Sequence, residues 1–186
     1  MSQKRFKLSI LICAIEERKH KLIQLLRHLE AQSTKEVEIL VKSDDRQMSI
    51  GEKRNFLLQE AKGDYVCFID DDDWVDGEYI PLILEALKSK PDVVGIVGIM
   101  STNGKSQRRF EHTILYGGYF ELNTIYCRPP NHLNPMKRSI AIQFEYKEIN
   151  MGEDTDWALR VMESHLNQVE VMIDKPIYHY LYQTKK

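Results

Sequence analysis

Apolar residues in this chain fall into short runs separated by stretches of helical spacing, an order that predicts strands alternating with helices. Phe6 to Ile15 is rich in Leu and Ile and alternates only weakly, as expected of a strand covered on both faces. Leu22, Leu25, Leu26 and Leu29 then recur at helical spacing, making Lys19 to Gln32 an amphipathic helix with His20, Arg27 and His28 on its wet side. Val37 to Val41 is a second strand and closes a β-α-β unit. Such crossovers are parallel and almost always right-handed, which points to a doubly wound α/β sheet. Ser49-Ile50-Gly51-Glu52 fits a capping box, from which Lys53 to Lys62 continues as a helix that Gly63 terminates. Tyr65 to Ile69, bounded by Gly63-Asp64, reads as a buried third strand.

The second half is less regular. Glu78 to Lys88 carries Ile80, Leu82, Ile83, Leu84 and Leu87 into a helix stopped near Pro91, and Asp92 to Met100 is a fourth apolar strand. Asn103-Gly104 predicts a hairpin turn into Arg108-Phe110. From Glu111 to Pro135 periodicity fails, and aromatic, glycine and proline residues predominate. A segment of this kind is either a binding loop, its aromatic and polar side chains suiting a sugar or a base, or an irregular packed connection. Lys137-Arg138 precedes a predicted short strand, Ser139 to Phe144. Gly152 opens a helix with Trp157, Leu159, Val161 and Met162 facing inward, Val169 to Ile173 is a closing strand, and Pro176 to Tyr182 is an aromatic tail.

Size and composition narrow the class. With 186 residues, 42% apolar and 29% charged, the chain fits one soluble domain with a sizeable core. A net charge of -2 gives no electrostatic footprint for wholesale binding to nucleic acid or anionic membrane. Runs such as Leu8 to Ile15 are too short to span a bilayer, and Met1 to Arg5 leads in without a signal-peptide cleavage pattern, so the cytoplasm is the expected location. Three cysteines, with Cys13 and Cys67 inside strands, make neither a disulfide framework nor a zinc spacing and read as buried thiols.

Candidate chemistry sits where strands end. Asp70-Asp71-Asp72-Asp73 follows the third strand directly. Adjacent carboxylates repel and desolvate badly without a cation among them, so the cluster is either a solvated loop or a site for Mg²⁺ or Mn²⁺, which prefer hard oxygen ligands. Asp44-Asp45 stands in the same relation to the second strand, as ligand-binding acids or as a turn. Arg54 and Asn55 lie in the first turns of a helix whose N-terminus suits a diphosphate, or else Lys53-Arg54 is a solvated pair. In Gly152-Glu153-Asp154-Thr155-Asp156, capping of the helix and its dipole explains one or two of the acids.

In this order the features resemble the GT-A nucleotide-sugar glycosyltransferases, in particular the inverting family 2, over roughly residues 6 to 182. The matching elements are the β-α-β start, acids after the second strand, Gly51-x-x-Arg54-Asn55, Ala61-Lys62-Gly63-Asp64-Tyr65, the Asp-x-Asp-type cluster and Gly152-Glu153-Asp154 before Trp157 and Arg160. Arg128 to Arg138 resembles small bacteriophage-encoded members, which would place the protein in a host cytoplasm. The resemblance implies a single GT-A domain with a mixed, mostly parallel sheet, residues to about 100 forming a nucleotide half and the remainder an acceptor and catalytic half. It implies transfer from a nucleoside-diphosphate sugar, a UDP-sugar by preference, to the hydroxyl of a glycan, a protein or a modified DNA base, with Mn²⁺ or Mg²⁺ as cofactor. Asp70 and Asp72 match the metal and ribose positions, with Asp71 beside them in the donor-binding set and Asp73 their neighbour. Asp44 or Asp45 matches the base-recognising acid, Glu16 or Glu17 meets the nucleotide, and Arg54 joins the donor site. Asp154 matches the catalytic base, with Glu153 orienting and Arg160 holding the acidic helix start. His179 matches a C-terminal histidine near metal or diphosphate, the alternative being a packed core residue, and His132, Lys137, Arg138 and Trp157 are the acceptor candidates.

Two departures touch the nucleotide end. Cys13-Ala14-Ile15-Glu16 replaces the family's Pro-x-Tyr-Asn, and Arg46 follows Asp44-Asp45 in place of a Gly-Ser turn. With little chain after the aromatic tail, the acceptor is expected to meet Tyr116 to Arg138 or a partner. The competing readings are a sugar-phosphate nucleotidyltransferase, disfavoured because Cys13 to Arg18 contains no glycine, and a non-catalytic nucleotide-sugar or metal-binding module with no need of Asp154.

Overall fold

The opening unit forms as its pattern predicts. In the computed structural model, which describes residues 6–183, β1 (Leu8–Ile15), α1 (Lys19–Gln32) and β2 (Val37–Asp44) make a β-α-β unit with β1 parallel to β2. The Met1 to Arg5 lead lies outside the described residues. Alternation along β1 sends Leu8, Ile10 and Ile12 to one face, where they join Leu22, Leu25 and Leu29 of α1. Leu11 goes to the other face and meets Leu57 and Leu58. His28 is not on the wet side of α1: its ring stacks on Trp74 with centroids 4.6 Å apart, and its Nε2 lies 3.0 Å from the Val75 carbonyl oxygen.

Helix α2 (Ile50–Glu60) starts earlier than its apolar spacing suggests because Ser49 is the cap. The Ser49 Oγ accepts from the Glu52 amide at 3.2 Å while Glu52 accepts from the Ser49 amide at 2.6 Å, so two orphan donors are satisfied reciprocally. A Cβ added to Gly51 would lie 1.8 Å from the Lys147 carbonyl oxygen. Only glycine therefore lets the first turn of α2 touch the segment before α5, where the Gly51 amide donates to the Ile149 carbonyl at 3.2 Å. The helix ends at Ala61, ahead of Gly63.

β3 (Tyr65–Phe68) lies parallel to β1 and is followed by β4 (Trp74–Val75), α3 (Tyr79–Ala86), β5 (Val93–Thr102) and β6 (Lys105–His112). The β5–β6 hairpin turns at Asn103 and Gly104, with φ of 51° and 70°, the left-handed pair that an Asn-Gly turn provides. The stretch from Glu111 to Pro135 is more ordered than its composition suggests. It contains a second hairpin, β7 (Phe120–Leu122) and β8 (Ile125–Arg128), with β8 parallel to β6. The side chains of β7 are exposed, so no alternating pattern marks it, and its turn, Asn123-Thr124, lacks glycine although both residues have positive φ. After β9 (Met136–Lys137), the strand expected over Ser139 to Phe144 is absent: α4 (Arg138–Ala141) stands there and buries Ile140 and Ala141. α5 (Glu153–Glu163) and β10 (Glu170–Tyr182) complete the chain, the closing strand and aromatic tail being one long strand bulged near Pro176.

The strands join in one mixed sheet of order β2-β1-β3-β9-β5-β6-β8-β7, with β10 along β5 and β4 beside β10. One core covers the face with α1 and α3, and a second, including Phe68, Tyr146, Trp157 and Val161, covers the face with α2 and α5. The carboxyl ends of β1, β2 and β3 thus share one edge, and the acidic cluster leaves β3 there. Among the described residues no helix is long and apolar enough to cross a membrane.

Candidate active site

Two adjacent cations at the start of α2 organise this edge. Lys53 and Arg54 are 2% and 3% exposed, so neither is a solvated surface charge. Lys53 turns toward β1 and β2, donating to the Ala14 carbonyl at 2.8 Å and pairing closely with the Asp44 carboxylate. Arg54 turns toward β3 and α5: its Nε lies 3.2 Å from Glu153 Oε1 and its Nη2 3.2 Å from Asp70 Oδ1, with the guanidinium over the Phe68 ring at 4.8 Å. Arg54 therefore ties the end of the third strand to the start of α5, across 99 residues of chain between its own position and Glu153.

The four aspartates after β3 have four different environments. Asp71 is buried and accepts from the Ile15 amide at 3.0 Å and from Arg18 Nη1 at 2.8 Å, which fastens the loop to the end of β1. Asp73 is buried and accepts from the Tyr178 hydroxyl and the Leu181 amide, each at 2.8 Å, which fastens it to β10. Both carboxylates are thereby engaged inside the protein, and the expectation that Asp71 contacts the donor gives way to a tethering role. Asp70 and Asp72 keep 33% and 26% of their side chains exposed, and Asp72 pairs with Arg18 at 3.0 Å. Burial pushes the Asp70 carboxyl up, but the adjacent Arg54 charge and then His132 outweigh it and hold the group well below the usual carboxylate range. Burial raises Asp72, with Asp70 and Asp71 adding repulsion, and burial beside Asp70 raises Asp73 further.

Asp70 to Asp72, Arg54, Glu153 and Asp154 line one cleft of about 520 Å³, together with Arg18, His132 and Tyr180. Asp154 is a quarter exposed at the start of α5, where Gly152 holds φ of 83°. His132 stands between the two walls. Its Nε2 is 3.6 Å from Asp70 Oδ2 and its Nδ1 3.7 Å from Asp154 Oδ2, both just beyond hydrogen-bond distance, and neither nitrogen has another partner.

Whether a divalent cation fits can be read from the donors present. Among the described residues no three His, Cys, Asp or Glu side chains converge. Asp70 and Asp72 offer hard, partly exposed oxygens on the cleft wall. Mg²⁺ is commonly held by one or two carboxylates with water and substrate phosphates making up the rest, so this donor set fits such an ion when a diphosphate completes it.

Other expected site residues lie elsewhere. Asp44 accepts from the Arg46 and Met48 amides at 3.2 and 2.7 Å beside Lys53, which is the turn alternative. Burial opposes ionisation there, yet Lys53 and the Met48 amide keep Asp44 below the usual range. Asp45 is exposed beyond it. Glu16 accepts from Ser43 at 3.0 Å and Glu17 pairs with Arg46 at 2.6 Å, stitching the β1 and β2 loops at the rim. His179 is not gathered with the carboxylates. Alternation along β10 turns Tyr180 to the cleft and Tyr178 into the core beneath the acidic loop, while His179 faces Trp74 and Ile99 in a separate hollow. Lys137 and Arg138 follow Met136, whose partner Val66 is at the amino end of β3, so they sit on the opposite edge of the sheet, Lys137 paired with Asp92 at 2.7 Å. Trp157 is core: it stacks on Tyr146 with centroids 5.0 Å apart and donates to the Phe144 carbonyl at 2.9 Å. Arg160 holds Asp156 at 2.9 Å, not the two acids before it. Cys13, on the cleft wall, is half-buried rather than the buried thiol expected, and burial pushes it up to about 12; Cys67 and Cys127 are buried, and all three cysteines are free.

Arg18, Lys53 and Tyr178 had no assigned role from sequence. The need of the acidic cluster for counter-charge was a signal that cations exist nearby, but nothing local says which, since Arg18 is 53 residues from Asp71 and Tyr178 is 105 from Asp73.

No curated protein matches the chain in sequence. Among solved structures, residues 1–349 of TarS from S. aureus in complex with UDP-GlcNAc share the fold at TM-score 0.70 and 18% identity, covering 97% of this chain and 60% of that one. The same TarS fragment in complex with UDP matches at TM-score 0.69 and 19% identity, covering 95% and 60%. TarS in a third structure matches at TM-score 0.69 and 18% identity, with 95% of this chain and 37% of that one covered, so this chain spans 60% or less of the lengths of these structures. The sequence pattern described as glycosyl transferase family 2 matches residues 42–162, a span that runs from the end of β2 through the acidic cluster and Arg54 to α5. With the matching order of strands, acids and helix starts on one sheet edge, the chain belongs to glycosyl transferase family 2.

Proposed function

We propose that the protein is a metal-dependent inverting glycosyltransferase that moves a sugar from a UDP-sugar to an acceptor hydroxyl, with Asp154 as general base. The observation that supports this reading most is the facing of Asp70 and Asp72 by Asp154 across one cleft, with His132 between them. Asp70 and Asp72 would hold Mn²⁺ or Mg²⁺ against the donor diphosphate. A cation bound there supplies Lewis-acid stabilisation of the departing nucleoside diphosphate. Asp154 takes the proton of the acceptor hydroxyl as that oxygen attacks the anomeric carbon from the face opposite the leaving group, which inverts its configuration. Arg54 and Glu153 keep Asp70 and the start of α5 in register, so that base and leaving-group station hold a constant separation. Residues up to about 100 then form the nucleotide half, and the remainder, to residue 186, the acceptor and catalytic half.

Purified protein with Mn²⁺ is expected to hydrolyse or transfer from at least one of a panel of UDP-, GDP- and dTDP-sugars. Asp154→Asn is expected to leave UDP and Mn²⁺ affinity within about twofold while lowering kcat by about 10²-fold or more, the usual scale of general-base catalysis. Retained turnover in that variant refutes Asp154 as base, and failure of the whole panel to bind refutes the nucleotide-sugar reading.

A further inference from the structure

Behind Asp70 and Asp154 the cleft opens into a second cavity of about 80 Å³. One water needs roughly 10–15 Å³ measured in this way, so the cavity takes a group of several heavy atoms, not a single ion. Its lining brings Asp70, Asp73 and Asp154, from the acidic loop and α5, together with Arg128 from the end of β8.

The acids have partners: Arg54 for Asp70, the Tyr178 hydroxyl and the Leu181 amide for Asp73, and the Thr155 hydroxyl for Asp154. Arg128 has none. Among the described residues no carboxylate lies within ion-pairing distance of its guanidinium, and its contact is the Tyr119 ring, 5.2 Å from Cζ. The neighbouring His112, held near 3 by burial and the Arg128 charge, is uncharged, so Arg128 is the cation on this part of the lining. In the same cavity His132, 6% exposed, presents two nitrogens without partners. Half-buried charge and orphaned buried nitrogens are costly unless a ligand completes them. A neutral sugar would complete His132 and leave the planar guanidinium fork empty, whereas a carboxylate or phosphate matches that fork with two parallel hydrogen bonds.

We propose that this cavity is an anion subsite, in which Arg128 takes the carboxylate or phosphate of a sugar while His132 bonds its hydroxyls. The carboxylates in the same lining repel an anion set against them, so the arrangement with the anion on Arg128 is selected. This rests on the glycosyltransferase reading, and the anionic group belongs either to the donor sugar or to the acceptor.

Calorimetric titration of wild type and Arg128→Met with Mn²⁺ present separates these cases. UDP alone reports on the nucleotide site. UDP-glucuronic acid against UDP-glucose tests the donor source, and glucose 6-phosphate against glucose, with UDP saturating, tests the acceptor source. In one arm the anionic member is expected to bind wild type about tenfold tighter than its neutral counterpart, with the preference falling below about threefold in Arg128→Met and UDP affinity unchanged. Arg128→Lys, which keeps the charge but not the fork, is expected to be intermediate and guards against a folding defect in the first variant. Absence of the preference from both arms, or its survival in Arg128→Met, overturns the proposal. Loss of UDP binding in wild type would instead strike the nucleotide-sugar reading, and glucose 6-phosphate titrated without UDP still tests the subsite.

Discussion

Replacing Arg54 with Met removes one charge from the centre of the site while keeping most of the side-chain stem. Two carboxylates then lose their counter-ion. Glu153 is 5% exposed and Asp70 is a third exposed, so Glu153 carries most of the penalty and the Asp70 share is screened. Breaking a buried pair by removing one partner costs about 3–5 kcal/mol, and we take about 3 here because solvent reaches Asp70. For a chain of this size that lowers Tm by about 6–12 °C. Arg54→Met/Glu153→Gln is expected to recover about half of the loss, since the amide leaves no orphaned charge at that position.

The pH dependence has a definite sign. Asp70 is held below its ordinary value of 3.8 in the fold, so its contribution is present above that value and is lost as pH falls toward the depressed one. Arg54→Met removes the cause of the depression, so the gap between wild type and variant is widest at neutral pH and narrows below about pH 4. Urea denaturation at several pH values, in metal-free buffer, measures this directly. A loss under about 1 kcal/mol at pH 7, or a gap that stays constant with pH, refutes the reasoning.

Further outcomes follow from neighbouring groups. Asp73 is raised by burial and by Asp70, and an acid with a raised folded value weakens the fold once pH climbs past its unfolded value. Metal-free Asp73→Asn should therefore match or exceed wild-type stability at pH 7, with the difference vanishing below about pH 4; a variant more than about 1 kcal/mol weaker at pH 7 contradicts this. His179→Ala should change Mn²⁺ affinity, measured with UDP present, by less than about twofold, because His179 faces Trp74 and not the acids. A tenfold loss of Mn²⁺ affinity in that variant would return it to the metal site.

Local physics determined a large part of this protein. The β1-α1-β2 unit, the Ser49–Glu52 cap and the Asn103-Gly104 turn depend on residues a few positions apart, so period and turn chemistry suffice to read them. Strands that run parallel deliver their carboxyl ends to one edge, and the placement of Asp70 to Asp73 on that edge was legible for this reason, whereas Asp154, which opens α5, was singled out by the family resemblance. Tertiary structure alone decided which acids are left to meet a ligand. A run of four aspartates carries no sign of which member is tethered; Asp71 and Asp73 are tethered because Arg18 and Tyr178 reach them from far along the chain. The same holds for Lys137, Arg138 and Trp157, whose chemistry suited an acceptor but whose register put them on the opposite edge or in the core. For His179, a parity of one residue along β10 separated it from Tyr178 and Tyr180. His132 and Arg128 gained their significance in the opposite way, from unmet hydrogen-bonding and charge that appear only once the chain encloses them.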